Sequence, residues 1–274
     1  MTKTELKSFL LERYNDGSKH SIYQNIPSFI EAELQLNPKL DNLWRSDTPR
    51  WDCLKEFFKE NPFSNVADVG ANTGYFSFNF AKEFPVSKVT ALELNENHAD
   101  FIKKLADYFE VRNVHSKCAK ITLENVKNFP VHDIILYMNI AHHIGHDFNP
   151  EVADKNTINK DIENILSGLS KKCTWMVFQM GYNWGGDKQK PIIDLNDDLK
   201  KIRWTKKLFD NSGFDVLRAY MATRNGEAME YKSININEPD EKLQARLNEL
   251  KIQQNSEFFR RPFFILRTQG RGRK

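Results

Sequence analysis

Between residues 65 and 180 the apolar residues fall in short continuous runs, separated by segments with helical spacing. The runs at 65–69, 88–93, about 112–116, 133–138 and 174–180 read as buried strands, and 75–84, 97–109, 120–127 and 156–170 as helices. Such alternation predicts right-handed βαβ units and a parallel sheet. Ahead of this region, "ELKSFLLERY" (5–14) and "SFIEAELQL" (28–36) carry amphipathic spacing, and a third helix is expected between Pro49 and Pro62. These segments read as a helical lid over residues 1–61. Past residue 200, "WTKKLFDNSGF" predicts a helix closed by Gly213, followed by strands at 215–222 and 263–268. With no crossover helix between them, those two strands must run antiparallel as neighbours or leave the sheet.

Composition narrows the class. The 274 residues are 40% hydrophobic and 28% charged, ordinary for a globular protein. The longest apolar run, "DIILYMNIA" (133–141), is about half of what a membrane-spanning helix needs. The start, "MTKTELKSFLLERY", lacks the apolar centre of a secretory signal, so a cytoplasmic location is expected. Cys53, Cys118 and Cys173 are far apart with no CxxC pair, which suggests neither a zinc ribbon nor a disulfide framework. Residues 260–274 hold six basic and no acidic residues, leaving 34 basic against 37 acidic elsewhere. The body is therefore not a polyanion-binding surface by bulk charge, and a basic tail is expected at 269–274.

The candidate chemistry starts at "VADVGANTGYFSF" (66–78), a strand running through Gly70 and Gly74 into a helix. Glycines there let backbone approach a ligand, and the helix start adds free N–H donors. A dinucleotide site needs G-x-G-x-x-G, but Asn72 and Tyr75 occupy the second and third glycine positions, and no Gly-Lys-Ser/Thr follows for a phosphate loop. The pattern is D-x-G-x-N-x-G from Asp68, with Glu93 at the end of the next strand, where a carboxylate can accept both hydroxyls of a ribose. Taken alone, Glu93 reads equally well as a solvated strand-end acid.

These residues resemble the S-adenosylmethionine (SAM) site of class I methyltransferases, over about residues 62–220, and "PFFILRT" near the end is also similar. The resemblance implies a Rossmann-like, seven-stranded, mostly parallel sheet with its last strand antiparallel, a methyltransferase domain over 62–268, and SAM as cofactor. It implies that Asp68, Gly70, Asn72 and Gly74 surround the methionine and ribose, that Glu93 binds the ribose hydroxyls, and that Leu94, Cys118 and Ala119 lie beside adenine. Cys118 stands where many members have an acid. Asn139 falls where the methionine amine is met. "IYQNI", "IAHHIGH" and "RRPFFIL" resemble bacterial methyltransferase domains that cap O-antigen polysaccharide, whereas "LWRSDTPRWDCL" is similar to a segment of bacterial tRNA wobble-uridine carboxymethyltransferases.

The acceptor side is expected beyond the fourth strand, in "MNIAHHIGHDFNP" (138–150). His142 or His143 can take a hydroxyl proton, with His142 narrowly preferred. A metal role for His142, His146 and Asp147 lacks a third histidine, so none is expected. Tyr23, Arg45 and Arg50 of the lid are candidates for holding an anionic group, and Tyr182 and Trp184 in "GYNWGGDKQKPI" for stacking on a sugar or base. The reading that follows is O-methylation of a sugar, glycan or sugar-phosphate. The alternatives are an RNA-modifying enzyme, disfavoured by the acidic body, and a non-catalytic SAM-binding domain.

Overall fold

Val66, Ala67, Asp68 and Val69 are buried along one strand, β1 (Asn65–Val69), which ends at the first glycine of the loop. The computed structural model describes residues 1–15, 24–35, 47–147, 157–193, 196–226 and 228–270, and they divide into two units, Met1–Lys120 and Ile121–Lys274.

In the first unit β1 is followed by α4 (Tyr75–Glu83), β2 (Lys88–Glu93), α5 (Glu96–Tyr108) and β3 (Val114–Cys118). The strands are parallel in the order β3-β2-β1, with Asp68 opposite Ala91 and Glu93 opposite Cys118. That register brings the ends of β2 and β3 level. Asn95 starts α5 by accepting from the amides of Asn97 and His98, the capping role its side chain suits. The preceding helices are α1 (Lys3–Asn15), α2 (Ser28–Leu34) and α3 (Asp47–Glu60). Phe9 of α1 stacks on Phe101 of α5 at 6.1 Å, and Phe29 of α2 meets Phe109 edge-on at 5.7 Å. Phe58 of α3 lies 4.9 Å from Phe80 of α4. Phe58, Phe80 and Phe101 are buried, each contributing about 1.5–3 kcal/mol, while Phe9, Phe29 and Phe109 are half-buried.

The second unit contains β4 (His132–Met138), α6 (Ile158–Ser170), β5 (Cys173–Gln179), α7 (Asp198–Ser212), β6 (Phe214–Asn225), β7 (Ala228–Ile234), α8 (Asp240–Glu249) and β8 (Phe263–Thr268). β4 and β5 are parallel, and β8 lies antiparallel between β5 and β6. The two late strands are thus antiparallel neighbours, with Ala219 opposite Phe264. Gly213 ends α7 with φ 80°, as its position predicts.

Three expectations need correction. No α-helix forms over 120–127: Thr122 accepts from the Asn125 amide through Oγ1 at 3.3 Å, and Asn125 Oδ1 accepts from the Thr122 amide at 2.8 Å. These side chains take the backbone groups a helix would use. β3 starts two residues later than read. Among the described residues there are eight strands rather than seven, because β6 turns back into β7 as a hairpin that extends its edge. No helix is long and apolar enough to cross a membrane among the described residues.

Candidate functional site

The glycine loop is set by backbone geometry that few residues adopt. Gly70 and Gly74 have φ 72° and 78°, and Asn72 holds φ 50°, a conformation asparagine tolerates better than most side chains. Gly70 and Ala71 donate to the Leu92 carbonyl at 2.8 and 3.0 Å, tying the loop to the end of β2. A Cβ on Gly74 would stand 2.9 Å from the Phe78 ring and 3.2 Å from Ile102.

Glu93 joins the loop to the next turn. Its Oε2 accepts from the Asn72 amide at 2.8 Å and its Oε1 from the Asn95 amide at 2.9 Å. The residue is buried, yet each oxygen keeps a second lone-pair direction for a hydroxyl donor. Leu94, 45% exposed, offers an apolar surface beside it. Cys118, level with Glu93, is exposed, and Ala119 donates its amide to the Glu93 carbonyl at 3.0 Å. A carboxylate at a strand end, flanked by exposed apolar surface and a loop of left-handed residues, suits a nucleoside with two free hydroxyls.

Asp68 does not face outward. Its Oδ2 accepts from the Ser77 hydroxyl at 2.7 Å, which fixes the start of α4 against β1. Burial pushes its carboxyl up to about 6, with the Glu93 charge adding to the rise and the Ser77 hydrogen bonds opposing it.

The N-terminal extension meets the loop through Gln24 and Asn25. Asn72 Oδ1 accepts from the Gln24 amide at 3.3 Å, and its Nδ2 lies 3.2 Å from Nδ1 of buried His98. Thr73 donates to the Asn25 carbonyl at 2.9 Å. Arg50 is not an anion-binding fork: it is buried against Asp47, whose other oxygen accepts from the Asn25 amide at 2.9 Å, and its guanidinium lies 5.4 Å over Phe76. The expectation of a ligand contact fails because the partner that Arg50 pairs with is internal. Tyr23 and Arg45 lie outside the described residues.

In the second unit, β4 ends at Asn139, which holds φ 59°. Its amide donates to the Gln179 carbonyl at 2.6 Å, its Nδ2 to Gln179 Oε1 at 3.2 Å, and its Oδ1 accepts from Arg261 at 3.0 Å. The Asn139 side chain is therefore tied to Gln179 and Arg261. Arg261 also grips Glu257 with two hydrogen bonds, at 3.1 and 2.7 Å.

The two histidines after β4 have opposite environments. His142 is buried, and its Nδ1 accepts from the Gly181 amide at 3.1 Å. Burial first, then the neighbouring His143 and Arg261, hold its pKa well below the ordinary 6.5. Because the Gly181 amide already occupies its Nδ1 lone pair, buried His142 is placed less well than His143 to receive a proton. His143 is partly exposed, and its Nδ1 lies 2.6 Å from Asp147 Oδ2, while His146 Nδ1 lies 2.7 Å from Asp147 Oδ1. The tautomer that satisfies this contact carries the His143 proton on Nδ1 and leaves Nε2 as the acceptor nitrogen.

Tyr182 and Trp184 are also corrected. Tyr182 is buried with its hydroxyl 2.8 Å from Thr205, and Trp184 is buried with its indole N–H donating to the Ile144 carbonyl at 2.8 Å. Both rings pin their loop and present no face to an acceptor. Among the described residues, no group of three or more His, Cys, Asp or Glu is arranged to hold a metal ion. Gln179, Glu257 and Arg261 were not candidates from sequence, and Asp147 was considered there only as a metal ligand; the signal for its pairing with His143 is their i, i+4 spacing.

This is the Rossmann-like fold of methyltransferases. The N-terminal domain of EvdMO1, solved with SAH bound, matches with TM-score 0.57 at 10% identity over 98% of each chain. The bifunctional kinase-methyltransferase WbdD matches with TM-score 0.53 at 12% identity, over 96% of this chain and 46% of its own. StiE O-MT matches with TM-score 0.50 at 11% identity, over 92% of this chain and 85% of its own. In sequence, 61 residues are 36% identical to ribosomal RNA small subunit methyltransferase G of Aster yellows witches'-broom phytoplasma (strain AYWB), 22% of this chain and 29% of that one. The chain spans less than half of WbdD, and the matched stretch less than a third of the phytoplasma protein. No family model matches the chain.

Proposed function

We propose that this chain is a cytoplasmic SAM-dependent methyltransferase that methylates a hydroxyl of a sugar, glycan or sugar-phosphate. The observation that carries the cofactor reading is Glu93, its two oxygens bonded to the amides of Asn72 and Asn95 at 2.8 and 2.9 Å, with acceptor capacity left for ribose hydroxyls. When bound, SAM supplies an electrophilic methyl group on a sulfonium. The chain's part is to place the cofactor with Gly70, Asn72, Gly74, Glu93 and Leu94, with Cys118 and Ala119 beside the base and the Asn139 carbonyl toward the methionine amine. His143 receives the acceptor proton at Nε2. The SAH in the EvdMO1 structure and the methyltransferase names of the other neighbours support the cofactor. The sugar class rests on the resemblance of "IYQNI", "IAHHIGH" and "RRPFFIL" to polysaccharide-capping domains.

The 61-residue likeness to an rRNA methyltransferase favours a second reading, an RNA acceptor. One experiment separates the two: incubation with SAM labelled in the methyl group and a cell extract fractionated into glycan, small-molecule, RNA and protein pools. Label in the glycan or small-molecule pool is expected. Label confined to RNA supports the second reading, and none in any pool refutes both.

A further inference from the structure

One carboxylate serves two imidazoles at this site. Asp147 Oδ2 meets His143 Nδ1 at 2.6 Å, and Oδ1 meets His146 Nδ1 at 2.7 Å. The far side of His146 is closed by the loop after β5. A Cβ on Gly185 would stand 2.4 Å from the His146 ring, and Gly185 has φ 61°, so the chain passes over the ring where only glycine fits. Trp184 lies edge-on to His146 at 6.2 Å and is itself fixed by its hydrogen bond to the Ile144 carbonyl at 2.8 Å. The loop seats His146, His146 holds one oxygen of Asp147, and the other oxygen is left facing His143.

We propose that Asp147 is a positioning residue for His143, braced through His146 by the Trp184–Gly186 turn. The proposal rests on the methyl-transfer reading and specifies how its base is prepared. Asp147 fixes His143 with its proton on Nδ1, so the Nε2 lone pair is available at the start of the reaction. As the acceptor oxygen bonds to the methyl carbon, the carbon–sulfur bond breaks with its electron pair staying on sulfur. The hydroxyl proton passes to His143 Nε2, and Asp147 stabilises the resulting imidazolium. An uncharged Nε2 acceptor suits a neutral hydroxyl.

The test is the tautomer of His143, read from imidazole nitrogen shifts in the wild type and in Asp147→Ala, with SAH affinity measured alongside by calorimetry. The expected result is the Nδ1–H form in the wild type and its loss in Asp147→Ala, with SAH affinity within about twofold of wild type. Once an acceptor is in hand, kcat should fall about a hundredfold with acceptor KM unchanged, the range that general-base assistance supplies. Gly185→Ala, whose Cβ would press on the His146 ring, should shift the same nitrogen signals with His143, His146 and Asp147 all retained. An Nε2–H tautomer in the wild type, or an Nδ1–H form that persists in Asp147→Ala, overturns the proposal while SAH binding leaves the methyltransferase reading standing. Absence of SAH binding by the wild type overturns both. The wild-type measurement decides the proposal even where Asp147→Ala fails to fold.

Discussion

Asp68 places a cost on the fold that pH should expose. Its carboxyl is buried near the end of β1, with Ser77 as hydrogen-bond partner and the Glu93 charge nearby. Raising it from the ordinary 3.8 to about 6 amounts to about 3 kcal/mol, at roughly 1.4 kcal/mol per pH unit. The sign follows from linkage: a group protonated more readily when folded adds stability below its unfolded value and loses it as pH rises through the folded value. The window therefore runs from about pH 4 to just above pH 6. Asp68→Asn removes the titration while leaving an amide that can pair with Ser77. Relative to wild type it should gain about 2 kcal/mol between pH 4 and pH 7, or about 4–8 °C in Tm for a chain of this size. Calorimetric or fluorescence melts of both proteins at the two pH values check this. A Tm difference that is flat between pH 4 and pH 7 would refute the argument that burial holds this carboxyl up.

Other outcomes follow from the same contacts. Gly74→Ala, strained at φ 78° and driven into the Phe78 ring, should lose about 1–3 kcal/mol in denaturant melts and abolish SAH binding. Arg50→Ala removes the guanidinium that meets buried Asp47 and should lower stability by about 3–5 kcal/mol, while Arg50→Met should recover part of that loss; equal losses would argue against the lost ion pair as the cause. Cys118 should be the fastest-alkylating cysteine of the three, since Cys53 is half-buried and Cys173 buried, and SAH should slow its reaction with iodoacetamide as followed by peptide mass mapping.

The glycine loop and its link to Glu93 were legible in the sequence because their signals are local. Glycines at 70 and 74 mark backbone that side chains cannot follow, and the distance to Glu93 equals one helix and one strand, so both survive without knowledge of packing. The alternation that predicts β1, β2, α5 and β5 is local in the same way. The helix expected over 120–127 failed because Thr122 and Asn125 close a turn of their own, a competition that apolar spacing does not register. Arg50, Tyr182 and Trp184 were misread for a different reason. An arginine or aromatic residue near a sheet edge has the same sequence appearance whether it meets a ligand or an internal partner, and Asp47, Thr205 and the Ile144 carbonyl, 3 to 40 residues away, decide the matter. The division of labour between His142 and His143 likewise depends on Gly181, 39 residues from His142. Asp147 was in view as a metal ligand, and its i, i+4 spacing from His143 is the local signal of the contact between them.

Titration of the wild type and Glu93→Ala with SAH in a calorimeter tests the central claim without requiring the acceptor. The account predicts one SAH bound per wild-type chain and at least a tenfold loss of affinity in Glu93→Ala, the equivalent of about 1.4 kcal/mol for removing the charged acceptor of two ribose hydroxyls. No binding to the wild type, or equal affinity in the variant with its melting transition intact, would contradict it.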